Sequence, residues 1–385
     1  MYQVLTLNKI SKTGLSNFSA ADFCCGDDIK NPDAVIVRSA AMHEMEFSSN
    51  LLAIARAGAG TNNIPIDRCT ENGICVFNTP GANANAVKEL VICALFLTSR
   101  KIVAGAEWCE TLKGSGAEVS KKVEKGKSSF VGPEILGKTL GVIGLGAIGI
   151  LVANAAKALG MNVIGYDPFL SEEGKARLAD GVEFTADLDR IFTASDYISV
   201  HAPLNDSTRG VVGRENLAKA KDGLRVLNFA RAELVDNDAL LEALESGKIA
   251  AYATDFPTDD QIGVPGVTAI PHLGASTPEA EENCAVMAVN QLSDYLLNGN
   301  VKNSVNLPAL RLDKAGKVRV TAVTNGDLSG TLAAALTDNG VNVKASASAV
   351  RKAVGYCVFD TDDEITDATI SALREIEGVR ILRVL

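Results

Sequence analysis

Basic residues, histidine and aromatics are all scarce in this chain, and no long apolar run is present. Across 385 residues there are 37 Lys and Arg against 47 Asp and Glu, a formal net charge of −10, with aromatics at 5%. This balance, a pI near 5.0 and the lack of any Lys/Arg cluster exclude nucleic acid as a partner. The longest apolar stretch, starting at Leu140, is broken at Asn154 and Lys157. That is short of the ~20 residues a membrane span requires, so no membrane partner is expected. The eight cysteines are scattered, with no C-x-x-C pair, so neither a metal site nor a redox pair is expected. Reduced thiols in a cytoplasmic protein are the expectation, and the N-terminal MYQVLTLNKI has no signal-peptide pattern. With only three histidines, His43, His201 and His272, candidates for acid/base chemistry are few.

One string carries most of the positive information. In TLGVIGLGAIG, Thr139 to Gly149, an apolar strand runs directly into a glycine-rich turn and a helix. Gly144 allows the tight turn, Gly146 removes a Cβ where backbone must approach a pyrophosphate, and Gly149 lets helix and strand pack closely. The helix start then offers unpaired N–H groups to phosphates. A second apolar strand, Asn162 to Tyr166, ends in Asp167, eighteen residues past Gly149. A carboxylate at that spacing hydrogen-bonds an adenosine ribose 2′-hydroxyl and repels a 2′-phosphate, which predicts NAD rather than NADP.

The organisation around this turn is an alternation of strands and helices. Strands are expected at Ala34–Val37, Leu52–Ala55 and Ile74–Phe77, and a helix at Asn85–Ser99. The polar segment Glu107–Ser129 reads as a surface excursion. After Asp167, DYISVHAP, LRVLNFA, IAAYATD and VTAIPH continue a doubly wound parallel sheet, whose ligands sit at the carboxyl ends of its strands. Pro278–Leu297 reads as a long helix, and beyond Pro308 the order becomes βαββαβ, that of a ferredoxin-like module.

Ala202, Arg231, Asp255 and His272 all fall just after apolar strands. An imidazole at His272 can take a hydroxyl proton as hydride leaves a carbinol carbon. Arg231 offers a forked, permanently charged guanidinium to a carboxylate. Asp255 can accept a hydrogen bond from a nicotinamide amide. His201 also follows a strand, either near a cofactor or satisfying a local hydrogen bond, and His43 has no assigned role.

Taken in order, GLGAIG, YDP, HAPL, NFAR, ATDFP and PHLGAST, with RAGAG, NNIP and NTPGANANAVKEL upstream, resemble the D-isomer-specific 2-hydroxyacid dehydrogenases. The resemblance implies an α/β fold: two doubly wound parallel-sheet domains, one substrate-binding (1–98 and 276–307) and one Rossmann NAD-binding (99–275). A ferredoxin-like module resembling an ACT domain (308–385) would follow. It implies oxidation of a small hydroxy acid by NAD, with 3-phospho-D-glycerate the best fit and serine biosynthesis the setting. Glycerate or lactate as substrate, or an NAD-sensing binding protein, are the competing readings.

By the same likeness His272 is the acid/base and Arg231 clamps the substrate carboxylate. Ala147, Ile148, Asp167, Ala202, Phe229, Ala230, Asp255, Gly274 and Ala275 would line the cofactor beside Gly144, Gly146 and Gly149, with Thr79 joining them. Arg38 and Ser39 resemble the segment that reaches a substrate phosphate. The family's catalytic glutamate is missing: the chain reads DFPTDD, and Asp259, or else Asp260, is expected in its place. The ACT-like module implies an amino-acid effector and a homodimer or homotetramer, although VTNGDLSG lacks the usual His and Pro-Gly before its first helix.

Overall fold

The computed structural model describes all residues, Met1–Leu385. Two compact units form, Met1–Asn83 with Pro278–Leu385, and Ala84–Thr277. The divisions at 83/84 and 277/278 leave the whole Ala84–Arg100 helix in the second unit, instead of dividing the chain at 98/99 and 275/276.

The second unit is built on a parallel sheet of seven strands: β6 (Thr139–Ile143), β7 (Asn162–Tyr166), β8 (Val182–Thr185), β9 (Tyr197–Val200), β10 (Leu224–Asn228), β11 (Ile249–Thr254) and β12 (Val267–Ala269). Their order, β12-β11-β10-β9-β6-β7-β8, reverses direction between β6 and β9, so a crevice opens at the carboxyl end of β6. β9 is buried along its whole length and β6 at all but its first residue, as expected of strands covered by helices on both faces. The Glu107–Ser129 segment differs from its expectation. Helix Ile102–Glu110 runs into it and helix Val119–Gly126 lies within it, neither with a buried residue. Trp108 and Phe130, with ring centroids 5.3 Å apart, hold these turns together; local aromatic contact outweighs the polar, glycine-bearing composition.

The first unit holds a parallel sheet, β2-β1-β3-β4-β5, of β1 (Tyr2–Leu7), β2 (Phe23–Gly26), β3 (Ala34–Val37), β4 (Ala53–Arg56) and β5 (Cys75–Phe77). The Pro278–Asn298 helix buries Cys284, Ala288, Leu292 and Tyr295 in the core beside Ala53 and Phe77.

The same unit ends in a four-stranded antiparallel sheet, β14-β15-β13-β16, with the ferredoxin-like order. Its strands are β13 (Val318–Asn325), β14 (Val343–Arg351), β15 (Val354–Thr361) and β16 (Val379–Val384). One face, with Val320, Ala322, Cys357 and Phe359, packs on helices Ser329–Asp338 and Asp367–Arg374 through Leu332, Leu336 and Leu373. The opposite face, with Val323, Tyr356 and Val358, joins the core of Phe77 and Tyr295. β15 is therefore buried throughout.

Two buried arginines complete that junction. Arg319 donates from Nε and Nη2 to the two Asp360 carboxylate oxygens, each at 2.7 Å, and from Nη1 to the Asn298 carbonyl. Arg383 donates to the carbonyls of Tyr295 and Leu296. The last carbonyls of a helix have no partner within it and carry the negative end of its dipole, so guanidinium groups suit them. No helix is long and apolar enough to cross a membrane.

Candidate active site

The glycine turn after β6 has the geometry its spacing demands. Gly144 lies at φ 93°, where a Cβ would come within 2.6 Å of the Ala202 nitrogen. A Cβ on Gly149 would overlap the Gly144 carbonyl, so close packing requires glycine there. Around Gly146 there is open space: a Cβ would meet nothing within 4 Å. Ala147, Ile148 and Gly149 form the first turn of the Ala147–Ala158 helix, whose free N–H groups face that space. Asp167 accepts from the Leu145 N–H at 3.0 Å and the Phe169 N–H at 2.9 Å, which ties the end of β7 to the turn and aims a carboxylate beside it.

A second group of residues assembles at the carboxyl ends of β10, β11 and β12. Asn228, fully buried, accepts from the Ala230 N–H and donates to the Arg231 carbonyl at 2.8 Å, and so sets the turn that presents Arg231. Phe229 is buried beneath it, while the Arg231 side chain is exposed and lies 5.6 Å from the Phe256 ring centroid. On the same ring the His272 imidazole packs with centroids 4.3 Å apart.

Asp255 is 2% exposed; one oxygen accepts from the Gly274 N–H at 3.0 Å and the other, Oδ1, has no partner. Burial pushes its carboxyl above the ordinary value, opposed by the Gly274 bond and the nearby His272. An unsatisfied buried acceptor is costly unless a ligand completes it. Together with the open space at Gly146 and the carboxylate of Asp167, this donor and acceptor set fits a dinucleotide with a free ribose 2′-hydroxyl and an amide at its far end. Ala275, which follows Gly274, is half-buried in the same loop.

The acids expected to partner His272 make no bond to its ring. Thr258 and Gln261 form a capping box around a short helical turn, Asp259–Gln261, and Gln261 donates to Asn237 at 2.8 Å. That turn leaves Asp259 and Asp260 exposed, and neither is bonded to the His272 ring. Phe256 and Asn228 are the site residues that sequence reasoning missed. Phe256 was readable only as part of ATDFP, and a strand-end Asn such as Asn228 gives no periodic signal.

His201 is the locally satisfied histidine. Its Nε2 is 2.8 Å from Ser199 Oγ, its Nδ1 is buried without a partner, and burial pushes its pKa down to about 4. The unfolded chain, with an ordinary imidazole near 6.5, binds this proton first. Stability from this residue is therefore present above about pH 6.5 and falls as pH drops toward about 4, at roughly 1.4 kcal/mol per unit. Urea titrations across that interval should show this loss, and His201→Asn should flatten it. His43 bonds the Asn62 carbonyl at 3.0 Å and takes no part in the site.

The remaining expected residues belong to the first unit. Thr79 is fully buried, its N–H donating to Gly58. Arg38, at the end of β3, pairs with Glu281 at 2.7 Å, and its carbonyl accepts from Arg56 Nε at 3.1 Å. The Ser39 N–H is held by Asn8 Oδ1 at 2.9 Å.

Residues 94–274 match the family described as D-isomer specific 2-hydroxyacid dehydrogenase, NAD binding domain. A hydroxypyruvate reductase of Thermotoga maritima is 40% identical over 276 residues, 69% of this chain and 85% of the relative. A D-3-phosphoglycerate dehydrogenase of Bacillus subtilis is 35% identical over 338 residues, 83% of this chain and 62% of the relative, so the chain spans less than two thirds of that protein's length. The crystal structure of NAD+-bound 3-phosphoglycerate dehydrogenase from Entamoeba histolytica superposes with a TM-score of 0.62 at 27% identity, covering 80% of this chain and 99% of that one. With its glycine turn, its strand-end Arg231 and His272, and these likenesses, the chain belongs to the D-isomer specific 2-hydroxyacid dehydrogenase family.

Proposed function

We propose that the chain is an NAD-dependent dehydrogenase that oxidises 3-phospho-D-glycerate to 3-phosphohydroxypyruvate, the first step of serine biosynthesis. The observation that carries the dehydrogenase reading is the placing of Arg231 and His272 on one aromatic ring, beside a buried Asp255 oxygen with no partner. When bound, NAD supplies the acceptor for the hydride that leaves C2. His272 takes the C2 hydroxyl proton on an imidazole nitrogen and returns it in the reverse direction. Arg231 holds the carboxylate through parallel N–H bonds, which fixes C2 relative to the imidazole. Asp255 Oδ1 accepts from an amide, and Asp167 holds the ribose diol.

The phosphate is assigned to Arg38 and Ser39, with Arg56 adjoining Arg38 through its carbonyl. Glu281 supports a second reading, that an unphosphorylated acid such as glycerate is the substrate, because its carboxylate already pairs with one terminal nitrogen of Arg38. Following NADH formation with 3-phosphoglycerate, glycerate and lactate separates these. Arg38→Ala should raise KM for 3-phosphoglycerate about tenfold or more, the scale of one charge-assisted bond, and leave KM for glycerate unchanged. Equal use of all three acids by the unaltered protein would remove the phosphate assignment.

The reading extends to assembly. Exposed Phe96, Ile102, Val103, Val131 and Leu136 in the second unit suit burial against another copy, and the 308–385 module suits an effector or assembly role.

A further inference from the structure

We infer that Phe256 is the positioning residue for His272, doing by ring contact what no acid in this chain does by hydrogen bonding. The inference rests on the dehydrogenase reading above. A general base must present one nitrogen to one proton, and an exposed imidazole free to rotate about its side-chain bonds spends little time in that orientation. No carboxylate, hydroxyl or backbone group bonds to the His272 ring; its neighbour is Phe256, at 4.3 Å between centroids and tilted by 46°.

Phe256 is itself set from both sides. Its N–H donates to Thr254 Oγ1 at 3.0 Å, and the Thr258–Gln261 capping box with the Gln261–Asn237 bond fixes the chain just beyond it. The backbone on the His272 side is pinned separately by the Gly274 N–H bond to Asp255. The loop is thus anchored through its main chain and the imidazole through a side-chain face. The same ring also lies 5.6 Å from the Arg231 guanidinium. One side chain therefore sets the spacing between the group that holds the substrate carboxylate and the group that takes the substrate proton. An aromatic face attracts a cation electrostatically, so it holds the Arg231 guanidinium beside the site. The loop around the expected acid sends Asp259 and Asp260 to solvent, which leaves this position to Phe256.

The test uses the full-length protein with NAD and its preferred hydroxy acid. Phe256→Leu, which keeps apolar bulk but loses the flat face, should lower kcat about 10- to 100-fold, the scale of an ångström-level misplacement. KM for NAD should stay within about twofold, while KM for the hydroxy acid rises as Arg231 loses its support. Phe256→Tyr should restore kcat to within about threefold, a rescue that a purely structural role shared by Leu and Tyr would not produce. If Phe256→Leu fails to fold, as judged by circular dichroism, Phe256→Met takes its place. The inference is overturned if the folded Leu or Met variant keeps kcat within twofold, or if Asp259→Asn or Asp260→Asn loses as much as Phe256→Leu. His272→Ala tests the underlying reading separately. Near-normal turnover in that variant removes His272 from the acid/base role and the positioning inference with it, whereas a loss there with an unaffected Phe256→Leu removes only the positioning role.

Discussion

Arg319→Ala is expected to destabilise the first unit by about 3–5 kcal/mol, the cost of leaving one member of a buried ion pair uncompensated. Arg319 and Asp360 are 1% and 0% exposed, and the guanidinium also satisfies the Asn298 carbonyl, so its loss strands several polar groups at once. Burial pushes the Asp360 carboxyl up, but Arg319 and the Ala315 N–H outweigh it and hold it below the ordinary value. The pair's stabilising effect is therefore full above the ordinary carboxylate range and is lost as pH falls through the depressed value. Denaturant titration at neutral pH measures the loss. Replacing both members, Arg319→Met with Asp360→Leu, should recover most of it, because an apolar pair leaves no buried charge. A single variant as stable as the parent would show that the pair contributes nothing to the junction.

The wider consequence concerns the C-terminal module. The second face of its sheet lies in one core with Phe77 and Tyr295, and Arg319 and Arg383 hold the end of the Pro278–Asn298 helix. Tyr356 adds a bond to the Gly299 carbonyl at 2.7 Å. This face is already used within the chain, so an effector or partner copy would have to use a different surface of the module.

The second large effect is catalytic. His272→Ala should lower kcat by about 10²–10⁴, the usual contribution of a positioned acid/base. KM for NAD should change little, because Gly146, Asp167 and Asp255 are untouched. Stopped-flow measurement of NADH formation at saturating substrate isolates the step. Turnover within a fewfold of the unaltered chain would mean that another group takes the hydroxyl proton.

Much of the architecture was legible from local pattern. The strand Thr139–Ile143, the helix after Gly146 and the strand ending before Asp167 all follow from apolar periodicity and glycine spacing. The βαββαβ order beyond Pro308 was equally readable, from the change between strand-like and helix-like apolar patterns along the chain. The helices within Glu107–Ser129 were not, because the contact between Trp108 and Phe130 that holds them is a matter of packing and leaves no periodic trace.

What the sequence by itself determined was the dinucleotide turn, since the positive φ at Gly144 and the press of its carbonyl on Gly149 are local limits, and the presence of Arg231, Asp255 and His272 at strand ends. Tertiary structure alone decided what surrounds those groups. The Thr258–Gln261 capping box turned Asp259 and Asp260 outward and left His272 against Phe256. Arg319 and Arg383, which read in sequence as ordinary polar positions of alternating strands, became buried caps on a helix that begins forty-one residues before the first of them. Periodicity shows that a residue faces a core, but which charged group waits on the other side depends on segments far apart in the chain coming together.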